Sequence, residues 1–131
     1  MAVLSKRAYN IQYDPAQNWV NMKWEGYISS AEFREGTELM LNLLIKNNAN
    51  KVLADIEHML LIDKEDQEWL ISYFLPRAIR FGFRAIALLK PISTFNSNVI
   101  ESISSHINQE ISIKVFNNIE KARDWLIETE T

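Results

Sequence analysis

Residues 51–91 read KVLADIEHMLLIDKEDQEWLISYFLPRAIRFGFRAIALLKP. This stretch divides into strand, loop, helix and strand. Its flanking runs, 52–56 and 85–89, are almost wholly apolar. A strand apolar on both faces lies inside a sheet, so these two runs are expected at the sheet centre. Between them Asp63 stands as an N-cap, with Glu65, Asp66 and Glu68 in the first turns. The helix runs to about Phe81 and ends at Gly82, with Arg77 and Arg80 near its end. Acids at the start and arginines at the finish suit the helix dipole. Pro76 removes the hydrogen bond to the Ser72 carbonyl and predicts a kink or two short helices. Leu70, Tyr73, Phe74 and Phe81 supply apolar surface.

Toward the N-terminus the period changes. Tyr9, Ile11 and Tyr13 alternate with Asn10, Gln12 and Asp14, and Val20, Met22 and Trp24 alternate with Asn21 and Lys23. Period-two alternation marks half-buried strands. The turn DPAQN between them, where Pro15 fixes its own φ and restricts Asp14, predicts an antiparallel hairpin. Gly26 breaks the second strand. Ser29 and Glu32 form a capping box for a helix to about Asn47. Its inner stripe is Phe33, Thr37, Met40, Leu41 and Leu44. Gly36 costs that helix about 1 kcal/mol against alanine, which implies close contact with a neighbour. The run Asn47-Asn48-Ala49-Asn50 closes it, since asparagine tolerates the left-handed conformation.

Toward the C-terminus a third helix is predicted over residues 94–106, with Phe95, Val99, Ile100, Ile103 and Ile107 at helical spacing. Ile111, Ile113 and Val115 alternate with Ser112 and Lys114 as an edge strand. Asn117 and Asn118 precede a last helix with inner residues Ile119, Ala122, Trp125 and Leu126.

The predicted architecture is α/β, in the order β-β-α-β-α-β-α-β-α: a five-stranded mixed sheet with four helices. The simplest strand order is 1-2-3-4-5, with strand 1 antiparallel at an edge. Successive right-handed crossovers would place every helix on one face. The two central strands are too apolar for a bare second face. Either a helix crosses over, or that face meets a partner.

The chain has 131 residues, 47% of them hydrophobic, which fits a single domain over 1–131 with its own core. A net charge of −3 argues against a nucleic-acid binder, which usually shows a basic face. The absence of cysteine rules out disulfides, thiolate metal sites and a cysteine nucleophile. The start MAVLSKRAYN lacks the apolar core of a signal peptide, and the apolar run 39–45 is too short to cross a bilayer. The expectation is a cytoplasmic protein without membrane insertion.

Chemical motifs are sparse. Asp63, Glu65, Asp66 and Glu68 would serve a hard cation or acid–base work, but a helix start explains them fully. Asp55, Glu57 and His58 follow the third strand, where open sheets collect ligands; Ser93 would face the same cleft. An enzyme would need the first three to converge, and a solvated loop is the simpler reading. Only His58 and His106 are available to metals, so no metal or cofactor is expected. Arg77, Arg80 and Arg84 form either an anion patch or a solvated helix end. Gly26, Gly36 and Gly82 are too far apart to cradle phosphate. The chain has four tryptophans. Trp24 and Trp125 read as core. Trp19 points to the polar side of its strand, and Trp69 can pair with Tyr73 one turn on.

The segments WVNMKWEG (19–26), Leu53-Ala54-Asp55, Asp66-Gln67-Glu68-Trp69, Pro76-Arg77-Ala78 and ARDWL (122–126) carry a resemblance. With the hairpin-first order, the chain resembles the STAS fold of anti-sigma-factor antagonists, in particular an uncharacterised bacterial STAS/CRAL-TRIO-like subgroup. Phosphorylated STAS regulators carry Asp-Ser-Ser-Gly at the start of the second helix. Here the place reads Ile62-Asp63-Lys64-Glu65-Asp66, without serine or threonine. The resemblance therefore implies a regulatory module without the phosphoacceptor. The expected function is a non-enzymatic regulatory or protein-interaction module, binding a protein partner or a second copy as a homodimer. Trp19, Asp55, Glu57, His58, Asp63, Trp69 and Tyr73 are its expected contact residues. The alternative is a binder of a small apolar or lipid-like ligand in a pocket lined by Phe74, Phe81 and Phe95.

Overall fold

The computed structural model describes residues 3–5, 8–60, 62–89 and 110–129. The helix predicted over 94–106, with Ser93, Phe95 and His106, lies outside the described residues. The strands are β1 (Val3–Ser5), β2 (Tyr9–Asp14), β3 (Trp19–Gly26), β4 (Lys51–Met59), β5 (Ala85–Leu89) and β6 (Ser112–Phe116). The described helices are α1 (Ser30–Asn47), α2 (Lys64–Trp69), α3 (Leu75–Arg80) and α4 (Ile119–Glu128), with a π-helical segment (Leu70–Phe74) joining α2 to α3. No helix among the described residues is long and apolar enough to cross a membrane.

The five expected strands are present in the expected order, and the short β1 adds a sixth at the edge. β2 runs antiparallel to β1 and β3, whereas β3 to β6 are parallel. The hairpin turn forms as its residues dictate. The Asp14 carboxylate accepts from the N–H groups of Ala16 (3.0 Å) and Gln17 (3.3 Å), and Asn18 takes a left-handed φ of 56°.

The capping box closes α1. Ser29 Oγ accepts from the Glu32 N–H at 3.1 Å, and Glu32 Oε1 accepts from the Ser29 N–H at 3.1 Å. Asn48 ends the helix at a left-handed φ of 51°. Asp63 has the extended backbone of an N-cap, but its carboxylate makes no capping bond. The disturbance expected from Pro76 takes the form of a widened turn. Leu75 N–H reaches back to Leu70 O, one residue farther than in an α-helix. A proline ring collides with the carbonyl four residues behind it, and the wider turn moves that carbonyl away.

β4 and β5 sit in the middle of the sheet; β5 is covered front and back, and β4 is covered on the second face as far as Leu53, with Asp55 beyond it bordering a groove. The first face holds the larger core, with Trp24, Phe33, Leu41, Leu44, Phe74 and Phe83. On the second face Trp19, Leu53, Ala85 and Ala87 pack against Ala122 and Leu126 of α4. A helix does cross over, and it is α4. β5 suits both neighbours, with Ile86 and Leu88 toward the larger core and small Ala85 and Ala87 under the helix. Burying Leu126 completely stabilises by about 2 kcal/mol before chain entropy is counted. Lys51 Nζ adds a bond to the Leu126 carbonyl at 2.5 Å.

Two expected placements are corrected. Trp19 was expected on an exposed polar side, yet it is 1% exposed, because α4 descends over that end of β3. Ile119 was expected inside, yet it is 46% exposed, because only Ala122 and Leu126 of α4 reach the sheet fully.

Candidate interaction surface

α1 is locked to the second helical run by a polar and aromatic seam. Asp66 in the first turn of α2 is buried, and its Oδ1 accepts from Ser30 Oγ at 2.6 Å and from Arg34 Nε at 3.0 Å. The Arg34 guanidinium lies 5.2 Å from the centre of the Trp69 ring. Trp69 meets Tyr73, one turn on, at a ring separation of 6.0 Å. Arg77 follows, 4.9 Å from the Tyr73 ring, and it is ion-paired with Glu38 of α1. Ser30, Arg34 and Glu38 recur every fourth residue, so one stripe of α1 meets one stripe of the facing run. The hydrogen bond to Glu38 holds the Arg77 guanidinium charged more firmly than in water, against the opposing effect of burial. Trp69 is half-buried in this seam, and Tyr73 stands 53% exposed on its outer side.

The seam leads to the rim at the carboxyl ends of the parallel strands. Lys23 pairs with Asp55, but Glu25 pairs with His58, so β4 carries an extra residue there. This bulge leaves Ile56 and Met59 both buried, with Glu57 and His58 turned outward between them. Asp55 Oδ1 accepts from the Glu57 N–H at 3.1 Å and braces the bulge. Leu60 N–H then bonds Gly26 O at 3.0 Å, and two large side chains at this end of the sheet are exposed, Tyr27 at 68% and Leu60 at 50%. Asp63 is exposed at the start of α2.

Of the expected contact residues, Trp69 and Tyr73 are together on the helical face. Glu57 and His58 are together at the rim, with Asp63 exposed beyond them. Trp19 is withdrawn into the second core and presents nothing. Asp55 lies on the opposite sheet face, where it borders a groove with Lys23 and Arg123. The triad that an enzyme would need is not assembled: His58 Nε2 stands 3.7 Å from Glu57 Oε1, while Asp55 serves a backbone N–H. Among the described residues no group of three or more acids and histidines could hold a metal ion.

The arginine patch divides. Arg77 belongs to the seam, and Arg84 Nη1 donates to the carbonyls of Ile79 (2.7 Å) and Phe83 (2.9 Å) at the end of α3. Arg80 alone of the three is exposed. A hollow between the sheet and the helices includes Trp24, Phe74 and Leu88 in its lining, but its volume is about 110 Å³. A lipid-like ligand needs roughly 300 Å³ or more. Phe81, expected in that lining, is 56% exposed.

Sequence reasoning missed Ser30, Arg34 and Glu38 as partners of the second helical run, and Tyr27 and Leu60 as exposed apolar residues. A signal was present for Asp66, which shares a four-residue stripe with Leu70, Phe74 and Ala78.

The family model described as SpoIIAA-like matches residues 19–127 of the chain. None of the curated proteins searched matches it.

Proposed function

We propose that this chain, which belongs to the SpoIIAA-like family, is a non-enzymatic regulatory module that docks a protein partner on its second helical run and the adjoining strand rim. Membership supports the regulatory part of the reading. The seam carries the docking part: it holds the half-exposed Tyr73 ring between Trp69 and Arg77 before any partner arrives. Ordered aromatic side chains lose little entropy on binding, and tyrosine, tryptophan and arginine are the residues that dominate interfaces. Glu57, His58 and Asp63 supply the polar border. The reading invokes no phosphoacceptor serine at residues 62–66, where the sequence has none. The reading places the protein in the cytosol, with a second copy of the chain among its candidate partners.

The test places a photo-crosslinking amino acid at Tyr73 or at Arg80 in cells of the native host, with sedimentation of the purified chain alongside. Position 73 should yield a discrete adduct, heterologous or homodimeric, that position 80 does not. Tyr27→Ser with Leu60→Ser should weaken that adduct. Equal labelling from both positions would remove the docking role.

A further inference from the structure

Among the described residues, α4 covers only part of the second face of the sheet. Beyond α4 the outer sides of β2, β3 and β4 form the floor of an open groove of about 270 Å³. Strand register sets its residues in two rows. Asn10, Lys23 and Asp55 are cross-strand neighbours, and Gln12, Asn21 and Leu53 form the next row. Arg123 and Ile119 of α4 make the wall.

The charge of this groove is opposite in sign to that of the chain. The chain carries a net charge of −3, yet the groove has two cations, Lys23 and Arg123, against one carboxylate, Asp55. Among the described residues neither cation has an acidic partner within ion-pair distance, and Arg123 only rests over the Trp19 ring at 5.9 Å. The amides of Asn10 and Gln12 are likewise unengaged among the described residues. Asn21 Oδ1 is occupied by the Trp19 indole N–H at 2.9 Å, and one oxygen of Asp55 is occupied by the Glu57 N–H. Free donors, a free carboxylate oxygen and two cations without an ion-pair partner among the described residues thus border the groove.

The geometry points to a binding site for a small hydroxylated organic anion, such as a sugar acid or sugar phosphate. Lys23 and Arg123 hold the anionic head, while Asn10, Gln12 and the second oxygen of Asp55 take the hydroxyls. Charge-assisted bonds to the head supply most of the attraction. The Asp55 carboxylate makes a bare inorganic anion a poorer occupant than one bearing hydroxyl donors. This site lies on the opposite sheet face from the docking surface and stands or falls independently of it.

Nitrogen–proton correlation spectra of the whole chain provide the test, because the Trp19 indole N–H donates to Asn21, which lines the groove, and so reports its occupancy. Its peak is assigned with Trp19→Phe. Gluconate, glucose 6-phosphate, glucose and inorganic phosphate are titrated separately. Gluconate or glucose 6-phosphate should shift the Trp19 indole and the Asn10 and Gln12 side-chain amides, with a dissociation constant of about 1 mM or tighter. Which of the two is tighter identifies the head as carboxylate or phosphate. Lys23→Gln and Arg123→Gln should each weaken binding about tenfold, and Arg80→Gln should not. Lys23 is exposed on its strand, so Lys23→Gln keeps the test valid if Arg123→Gln fails to fold. No shift with either hydroxylated anion, an equal response to inorganic phosphate or glucose, or equal weakening by Arg80→Gln would overturn the assignment.

Discussion

Gly36 lets the Trp24 ring lie directly against α1: a Cβ at position 36 would stand 2.5 Å from Trp24 Cη2 and 3.2 Å from Tyr9 Cδ2. Trp24 is 3% exposed and also touches Tyr9 and Phe33, so its ring has little room to retreat. Gly36→Ala should gain about 1 kcal/mol in helix propensity and lose about 1–3 kcal/mol to overpacking. Net destabilisation of about 1 kcal/mol is expected in urea melts. In a Trp24→Leu background the same change should become stabilising, as a double-mutant cycle will show. A more stable Gly36→Ala single variant would contradict the close packing.

Asp66 anchors the seam from within. Asp66→Ala leaves Ser30 and Arg34 without their acceptor, and bonds to a charged group contribute about 1.5–3 kcal/mol. A loss near 2 kcal/mol is expected. Arg34→Ala should cost less from the ion pair itself, because the Arg34 side chain is 41% exposed and its charge is partly screened. Equal losses from both variants would mean that the pair, not the buried carboxylate, governs the contact.

The cap of α1 gives a reciprocal prediction. Ser29→Ala should cost about 1 kcal/mol. Glu32→Ala should cost less, since it serves only the Ser29 N–H and hydroxyl. The double variant should fall short of the sum, because each half of the box orders the other. Strict additivity would indicate that the two bonds do not form together in solution.

The sheet was legible because its central strands announce themselves. Residues 52–56 and 85–89 are almost wholly apolar, Asp55 excepted, and the hairpin strands alternate cleanly. β1 was not legible: Val3–Ser5 is too short to show a period, and it exists through its pairing with β2. Coverage of the second face could be posed as a question but not answered. Local periodicity puts Trp19 on the polar side of β3, and only a tertiary contact with α4 buries it there. The alanines of β5 were the overlooked sign, since Ala85 and Ala87 share the face that receives a helix. The contact surface was legible in part. Trp69 and Tyr73 meet as their spacing predicts, but the stripe of α1 that orders them depends on how two distant helices cross.

The last prediction concerns Tyr9, whose hydroxyl donates to the Glu35 carboxylate. Burial, then the bond to Glu35 and the nearby negative charge, push the Tyr9 hydroxyl up to about 12. An unfolded tyrosine ionises near pH 10. Between about pH 10 and pH 12 the unfolded chain therefore loses this proton while the folded chain keeps it. That difference favours unfolding, so the contribution is complete below pH 10 and drains away toward pH 12. Its size is on the order of 2–3 kcal/mol for a shift of about two units. Lysines and other tyrosines titrate in the same range, so the measurement is the difference between wild type and Tyr9→Phe in urea melts from about pH 8 to pH 12. Wild type should be the more stable below pH 10 by about 1 kcal/mol, from its hydrogen bond. That advantage should vanish or reverse at the alkaline end. A constant difference across the whole range would show that Tyr9 ionises as freely in the folded chain as in the unfolded one, and that Glu35 does not hold its proton.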